Sequence, residues 1–393
     1  MPEPVSPSRA APAPSPRAAR IAVGALFFIN GFAFATWVSR IPEVQRALGL
    51  TPALLGAALM GLGVGSFVAM PVAGWLIAGT GSRRVVAVSA LACAALLAPL
   101  AFAADAVTLG VALGLFGAAM GAMDVAMNAQ GVELEHRVGR PILSGFHALF
   151  SLGGMSGAAS GGVIAAAGLS VPAHFGIMAT LLAVIAIAVV PSLLEAPPPA
   201  PGAPGSRLRM SPALVGLSVL AACFFISEGA MADWTPVYLS SVLGSSDGIA
   251  AAGYAVFSAA MTIGRLSGDW LTVRVGRVRI VRTGALLAAA GLSAALLIGT
   301  VPAALVGFVC VGAGFSVAVP LVFSAAGRLD SRSAGPGLAA VTTAGYLGFL
   351  AGPPVIGFAA QAFTLPLALA LIVALAVVGA VLAGFVAVAD SSS

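Results

Sequence analysis

Residues 74–84 read GWLIAGTGSRR, and residues 269–279 read DWLTVRVGRVR. The second segment follows the first by 195 residues, and this offset also aligns several residues of types that are rare in the chain. These pairs are Trp75 with Trp270, Arg84 with Arg279, Arg137 with Arg332, and Pro141 with Pro336. Several glycines align at the same offset, among them Gly81 with Gly276. A constant offset that matches so many uncommon residues predicts that the chain consists of two related halves.

The segments between these motifs are apolar enough to make a lipid bilayer the solvent. Hydrophobic residues occupy 60% of the 393 positions and charged residues only 8%, whereas soluble domains carry roughly 25% charged residues. A membrane-spanning helix needs about 20 apolar residues. Runs of this length lie at 20–40, 52–78, 84–104, 107–131, 142–168, 172–192, 212–239, 248–273, 278–299, 301–326, 336–361 and 365–388. The sequence therefore predicts an all-α membrane protein with twelve transmembrane helices in two six-helix pseudo-repeats.

The orientation in the membrane is predicted from the arginines, which account for all eighteen basic residues. Fifteen lie on one side of the predicted membrane: Arg9, Arg17, Arg20, Arg83, Arg84, Arg137, Arg140, Arg207, Arg209, Arg274, Arg277, Arg279, Arg282, Arg328 and Arg332. Only Arg40 and Arg46 lie on the other side, and Arg265 falls within span eight. Because cytoplasmic loops carry the excess of basic residues, both termini are predicted to be cytoplasmic. The use of Arg without Lys, together with abundant Ala and Gly, suggests a GC-rich bacterial genome, and we expect the protein to lie in a bacterial inner membrane.

Two six-helix units in the same orientation are related by an axis along the membrane normal, with a site between them near mid-bilayer. We expect a disordered cytoplasmic tail at 1–20, a first bundle at 21–192, a Pro-rich cytoplasmic linker at 193–211 and a second bundle at 212–389. This is the architecture of an alternating-access transporter. The alternative is an old duplication that has lost its transport role.

Ionisable side chains inside membrane spans are costly, so each is a candidate functional residue. Asp124 and Asn128 lie four residues apart and share a face of span four, and His147 enters span five at a similar depth. We expect Asp124 to exchange a proton or bind the substrate, with Asn128 and His147 bonded to its charged form. Burial could let this carboxyl titrate near neutral pH. The alternative is a structural pair between Asp124 and His147.

Four further residues lie in the predicted spans or at their ends. Glu228, in the outer half of span seven, faces either the central cavity or a partner helix, because lipid exposure costs too much. Asn30, midway along span one, either lines the cavity or bonds a neighbouring helix. Asp233 and Trp234 are expected to mark the periplasmic interface of the membrane, where Trp is enriched.

Several motifs carry a family resemblance. Residues 74–84, after span two, resemble the loop signature of the major facilitator superfamily, with Ala78 where that family usually has Asp. The counterpart at 264–276 retains an acid, Asp269. The other motif-bearing stretches are 124–131, 144–153, 153–162, 228–234 and 352–354. From about residue 21 to residue 388 the chain resembles the major facilitator superfamily, and in particular its YbjJ-type inner-membrane branch, which is related to fucose-permease-like transporters. The stretch 153–162 is similar to the superfamily's antiporter motif, with Ala158 in place of Pro.

The resemblance implies a gate near the cytoplasmic end of span eight, where Arg265 and Asp269 could form an ion pair that breaks on opening. The other gate candidates are Arg83, Arg84 and Arg274. The alternative for Arg265 and Asp269 is a plain i,i+4 pair worth about 0.3–0.5 kcal/mol. The resemblance also implies a monomer.

The expected function is secondary active transport of a small polar organic solute, coupled to protons. Symport is favoured by the sugar-permease relationship, while proton-antiport efflux is favoured by the span-five motif. A non-transporting receptor is the remaining alternative. The net charge is +5, but the arginines are scattered between the spans and form no single basic surface, so nucleic-acid binding is not expected. We expect no enzyme activity and no cofactor, because the sequence has no phosphate-binding Gly-rich loop and no Ser/His/Asp array on a common surface. No metal is expected, since Cys93, Cys223 and Cys310 have no metal-ligand spacing.

Overall fold

The computed structural model describes residues 15–138, 142–195, 211–326 and 335–389. These residues form fourteen α-helices, in chain order: α1 Pro16–Val38, α2 Ile41–Ala47, α3 Pro52–Thr80, α4 Ser82–Leu97, α5 Ala106–Val138, α6 Leu143–Ala166, α7 Val171–Val189, α8 Pro212–Val237, α9 Asp247–Val275, α10 Arg277–Ile298, α11 Val301–Phe315, α12 Ala318–Ala326, α13 Gly335–Ala362 and α14 Leu365–Leu382. Twelve segments of the described chain are long and apolar enough to cross a membrane. Helices α1 and α2 share one such segment, as do α11 and α12. The predicted all-α fold with twelve transmembrane helices is confirmed.

The first span begins earlier than its hydropathy predicts. Helix α1 starts at Pro16, so the last residues of the predicted disordered tail at 1–20 are helical. The reason is a cap, because the Ser15 hydroxyl accepts a 3.2 Å hydrogen bond from the Ala18 amide and Pro16 has the backbone angle that a first helical residue needs. Residues 1–14 and most of the predicted linker, 196–210, lie outside the described residues.

The duplication is visible in the backbone. Helices α3 and α9 each contain 29 residues and begin 195 residues apart, at Pro52 and Asp247. Each ends at a glycine with a positive φ, 82° at Gly81 and 86° at Gly276, and the next helix starts at once. Glycine adopts this conformation without a steric penalty. The aligned glycines are therefore equivalent corners of the two pseudo-repeats.

Within each half, helices that are distant in sequence pack side by side. In the N-terminal half (α1–α7), α1 packs on α6, α3 on α5 and α4 on α7. In the C-terminal half (α8–α14), α8 packs on α13, while α10 packs on both α11 and α14. Between the halves, α3 packs against α13 and α6 against α9. The space between α1, α5, α6, α8, α9 and α13 is where side chains of both halves can meet.

The two halves touch most closely at one end of the molecule. We call the end where α1 finishes and α3 begins the distal end, and the end where α1 begins the tail end. A Cβ atom on Gly162 of α6 would lie 2.9 Å from the Gly248 carbonyl oxygen of α9, and one on Gly56 of α3 would lie 2.8 Å from the Pro353 carbonyl oxygen of α13. These two backbone approaches, which only glycine permits, form the distal seam.

An ion pair reinforces the distal seam. Arg46, at the end of α2, pairs with Asp247, at the start of α9. Among the described residues, every side-chain hydrogen bond or ion pair between the halves lies either here or in the middle of the molecule. The halves are therefore closed against each other at the distal end.

Candidate functional site

Polar side chains from both halves meet in the middle of the molecule. They come from α5 and α6 of the N-terminal half and from α8, α9 and α13 of the C-terminal half. We call this group the central polar cluster, and its members are Asp124, Asn128, Ser151, Glu228, Arg265 and Tyr346. Hydrogen bonds link the N-terminal and C-terminal halves within the cluster at two points.

Asp124 accepts hydrogen bonds on both carboxyl oxygens. Asn128, one turn further along α5, donates its side-chain amide to Asp124 Oδ1 at 3.2 Å and to the Asp124 carbonyl at 2.8 Å. The Tyr346 hydroxyl of α13 donates to Asp124 Oδ2 at 3.2 Å. The predicted contact with Asn128 is present, whereas Tyr346 was not predicted. The signal that could have found it is the rarity of tyrosine, of which the chain has three.

His147 lies near this group without bonding Asp124. Its ring packs edge-on against Phe27, with 5.2 Å between the ring centres, and it is exposed. Among the described residues no hydrogen bond joins His147 to Asp124, so the expected bond is absent from this conformation. The charge of Arg265 acts on the His147 ring. His147 therefore lies beside the central polar cluster, within the electrostatic reach of Arg265.

Arg265 bridges the two halves. Its Nη1 donates a 2.9 Å hydrogen bond to the Ser151 hydroxyl of α6, and its Nη2 lies 3.6 Å from Glu228 Oε1 of α8. Both charged side chains are 20% exposed. The longer distance is an ion pair without a hydrogen bond, and Glu228 Oε1 accepts no hydrogen bond among the described residues. Glu228 therefore lies beside the arginine that bridges the two halves.

The other gate candidates make contacts within one half. Arg83 pairs with Glu195 at 2.5 Å, Arg84 is exposed, and the Arg274 guanidinium lies 4.2 Å above the centre of the Trp270 ring. The side chain of Asp269, the expected partner of Arg265, lies outside the described residues. None of these described contacts joins the two halves in this conformation.

Asn30 is a packing residue rather than a cavity residue in this conformation. It is 3% exposed, and its side-chain amide donates a 3.2 Å hydrogen bond to the Met120 carbonyl. Both residues belong to the N-terminal half. Of the two alternatives for Asn30, the structure has the contact between helices α1 and α5.

The expectation that Asp233 and Trp234 mark the membrane interface is wrong. Asp233 is 6% exposed and Trp234 is fully buried, because the distal part of α8 is covered by α13 and by helices of the N-terminal half. An interfacial Trp needs contact with lipid headgroups. These two residues instead lie inside the protein, beneath the distal seam.

The central polar cluster combines charged and hydrogen-bonding groups from both halves. It contains two carboxyl groups and one guanidinium, so the carboxyl groups outnumber the positively charged groups by one. The aromatic rings of Phe225 and Tyr346 pack 5.7 Å apart, and those of Phe34 and Tyr254 pack 6.0 Å apart. Charged groups between apolar walls are costly unless paired, and in membrane proteins they mark solute or proton pathways.

Comparisons with known proteins agree with this geometry. The family model described as Major Facilitator Superfamily matches residues 23–353. The chain is 40% identical, over 87% of its length and 89% of the relative's, to an uncharacterized MFS-type transporter of Yersinia pestis. Among solved structures it is similar to an inward-facing, unoccupied bacterial homologue of the human lysosomal transporter Spinster, with a TM-score of 0.70, 16% identity and coverage of 97% of this chain and 98% of that one.

A second solved structure carries the same fold in another conformation. FucP in its outward conformation has a TM-score of 0.64 and 19% identity, covering 93% of this chain and 98% of that chain. The matched family model spans most of the chain, and the expected resemblance to this superfamily is confirmed. The chain is thus a membrane transporter rather than an enzyme, and it belongs to the Major Facilitator Superfamily.

Proposed function

We propose that this protein is a proton-coupled secondary transporter that moves a small polar organic solute by alternating access. The observation that carries the proposal is the hydrogen bond from Tyr346 to Asp124, which joins the two halves through a carboxyl group. A solute or a proton that changes the state of Asp124 changes a contact between the halves. A solute or a proton that binds there therefore favours one conformation over the other, and coupling requires this difference.

The central polar cluster and the neighbouring His147 supply the groups that such a cycle needs. Asp124 takes or releases the proton, while Asn128 and Tyr346 stabilise its ionised form by hydrogen bonds. Arg265, Glu228 and His147 bind the solute, which displaces the long contact between the Arg265 guanidinium and Glu228. A solute with several hydroxyl, carboxyl or amino groups fits a site of this polarity.

We propose that the protein lies in a bacterial inner membrane with both termini in the cytoplasm, and that it works as a monomer. The arginine distribution supports the orientation, and a bacterial relative supports the membrane. In this orientation the distal end is periplasmic, so the closed distal seam corresponds to an inward-facing state. A cysteine scan of the tail and distal ends with a membrane-impermeant thiol reagent tests it. Labelling from the outside at the tail end would reverse the assignment.

Proton flux tests the proposed function. Proteoliposomes that contain a pH-sensitive dye are exposed to sugars, sugar acids, amino acids and cationic drugs, with wild type compared with Asp124→Asn. We expect one class of solute to trigger a flux in wild type that Asp124→Asn lacks. The control is Asp105→Asn, because Asp105 lies between spans outside the cluster and its replacement should leave the flux intact.

The sign of the flux separates the two transport directions. Protons that enter together with the solute indicate symport, and protons that leave as the solute enters indicate antiport. Coupled transport that survives in Asp124→Asn would remove Asp124 from the proton path. Specific solute binding with no flux in wild type would favour a uniporter or a non-transporting receptor.

A further inference from the structure

A further carboxyl group, which is not part of the central polar cluster, is buried between the two halves. Asp233 of α8 lines a small closed cavity beneath the distal seam. Apolar residues of α1 and α3 form one side of this cavity, and Phe349, Leu350 and Pro353 of α13 form the other. Asp233 makes no hydrogen bond and no ion pair within the described part of the chain. It is therefore an acid that the central polar cluster does not use and that the packing alone does not explain.

The cavity offers hydrogen-bond acceptors that are specific to this helix. Pro353 and Pro354 lie inside α13, and proline has no backbone N–H. The carbonyl groups four residues earlier, those of Phe349 and Leu350, consequently lack their regular helical donors. Phe349 and Leu350 both line the cavity that holds Asp233. Asp233 and the two residues that carry these free carbonyls thus line the same cavity.

This arrangement accommodates a protonated carboxyl group and disfavours an ionised one. A carboxylate can only accept hydrogen bonds, whereas a protonated carboxyl also donates one. The cavity has about 10 Å³ of space for the centre of a water molecule, which is room for about one water. A protonated Asp233 can therefore donate to a free carbonyl either directly or through one water. An ionised Asp233 would face acceptors and apolar groups, which is costly.

The surroundings of Asp233 supply no positive charge in direct contact. The ionisable groups on α8 and just beyond it are Glu228 and Tyr238, and those on the helices packed around its distal part are Arg17 and Arg20 at the tail end of α1, Glu43 and Arg46 on α2, Asp247, Tyr254, Arg265, Asp269 and Arg274 on α9, and Tyr346 on α13. Arg40, between α1 and α2, is engaged with Glu43, His174 and the Leu169 carbonyl. The described parts of α12 and α14 carry none. Arg46 is paired with Asp247, and Arg265 is engaged with Ser151 and Glu228. Tyr254 is the group whose electrostatic interaction with Asp233 is resolved.

We propose that Asp233 is a second proton-binding site, and that its protonation closes the distal seam. When the seam opens, water reaches the carboxyl group, its O–H bond breaks and the proton passes to the distal solution. When the carboxylate takes up a proton from that solution, it can re-enter the cavity and donate to the free carbonyls of α13. The inference rests on the alternating-access function proposed above and adds a proton-controlled step on the opposite side of Asp124.

The distance across the distal end tests this step without any substrate. Spin labels are attached to Ala47→Cys on α2 and Ser241→Cys after α8, two exposed distal positions in different halves. The background is Cys310→Ser, because Cys310 is partly exposed while Cys93 and Cys223 are buried. In lipid nanodiscs we expect the longer, distal-open distance to gain population in wild type as the pH rises from mildly acidic to mildly alkaline.

Two substitutions define the role of Asp233. Asp233→Asn keeps the shape and a donor but cannot ionise, so the pH-dependent gain in the distal-open population should be lost and the seam should stay closed. Pro353→Ala restores the N–H for the Phe349 carbonyl and removes an acceptor that favours the protonated acid. The midpoint of opening should then move to lower pH. Asp105→Asn is the matched control and should open as wild type does.

Several outcomes would overturn the proposal. They are a wild type that does not respond to pH, an Asp233→Asn variant that still opens with rising pH, or an unchanged midpoint in Pro353→Ala. Closure of wild type by added Na⁺ at constant pH, lost in Asp233→Asn, would show a metal-cation site instead. A pH-dependent seam in a protein that moves no protons with any solute would uphold this inference while contradicting the proposed function.

Discussion

The Tyr346 hydroxyl and the Asp124 carboxyl are joined by a 3.2 Å hydrogen bond, although the two residues are 222 positions apart and belong to different halves. This bond lies on the tail side of the distal seam. In the described part of the chain, it and the Arg265 contact to Ser151 are the side-chain links that hold the halves together in the middle of the molecule. Both links must change if the halves separate there.

Tyr346→Phe should weaken this connection while leaving the ring packing intact. A hydrogen bond to a charged group contributes about 1.5–3 kcal/mol, so we expect solute-triggered proton flux to fall by roughly tenfold to a hundredfold. The measurement is flux into dye-loaded proteoliposomes. Tyr238→Phe is the control, because Tyr238 is a buried tyrosine at the distal end of the C-terminal half and lies outside the central polar cluster. Equal flux in Tyr346→Phe and wild type would mean that the bond has no role in coupling.

Removing Arg265 should destabilise the protein by more than removing both partners of its ion pair. Arg265→Met leaves Glu228 without its positive charge, which we expect to cost about 2 kcal/mol. The double variant Arg265→Met/Glu228→Gln should recover most of that loss, because an uncharged amide needs no counter-charge. Thermal unfolding in detergent measures both. Arg84→Met replaces an exposed arginine and should change the unfolding temperature little.

The limits of sequence reasoning are seen at these same residues. The span boundaries follow from hydropathy and length, which are local properties, and the equivalent corners at Gly81 and Gly276 follow from one repeated motif. The partner of Asp124 does not, because which faces of α5 and α13 meet depends on how twelve helices pack. Asn128 was predictable because it lies one turn away on the same helix.

Local signals can also mislead when packing decides the outcome. Trp234 has the residue type and position of an interfacial anchor, yet the closed distal seam buries it. The contacts of Arg265 with Ser151 and Glu228 were not predicted, because they depend on how α9 packs against α6 and α8. The early start of α1 could have been predicted, since a serine followed by a proline at Ser15 and Pro16 is a helix-start signal.

Ionised Asp105 should stabilise the start of α5, and this stabilisation should be lost at low pH. Its carboxyl accepts hydrogen bonds from the Thr108 amide at 2.8 Å and the Thr108 hydroxyl at 2.9 Å, and these bonds hold the pKa of Asp105 below its ordinary value. A lowered pKa in the folded state contributes stability above the unfolded pKa, and this is lost as the pH falls through the folded pKa. Asp105→Ala should lower the unfolding temperature at neutral pH, with the difference from wild type shrinking under strong acid. A difference that does not depend on pH would mean that the charge is irrelevant to the cap.

The ion pair between Arg46 and Asp247 should act as a weak latch on the distal end. Its side chains are 56% and 34% exposed, and exposed pairs contribute about 0.2–1 kcal/mol. Arg46→Asp should raise the distal-open population in spin-label distance measurements, with a smaller effect at high salt. The reversed pair Arg46→Asp/Asp247→Arg should return the population toward that of wild type. A double variant as open as the single one would mean that the contact is not electrostatic.

Gly162→Ala should open the distal seam more strongly than the loss of the latch. The added Cβ would lie 2.9 Å from the Gly248 carbonyl oxygen, closer than carbon and oxygen normally approach, so α6 and α9 must separate for the alanine to fit. Helices α6 and α9 then lose packing contacts along the distal seam, which favours the conformation in which the two halves are already apart at the distal end. The distal distance between spin labels should therefore shift to longer values. Gly176→Ala on α7 is the matched control, because no atom lies within 4 Å of its added Cβ. If both alanine variants keep the wild-type distance, the close approach of α6 and α9 does not set the balance between the two conformations.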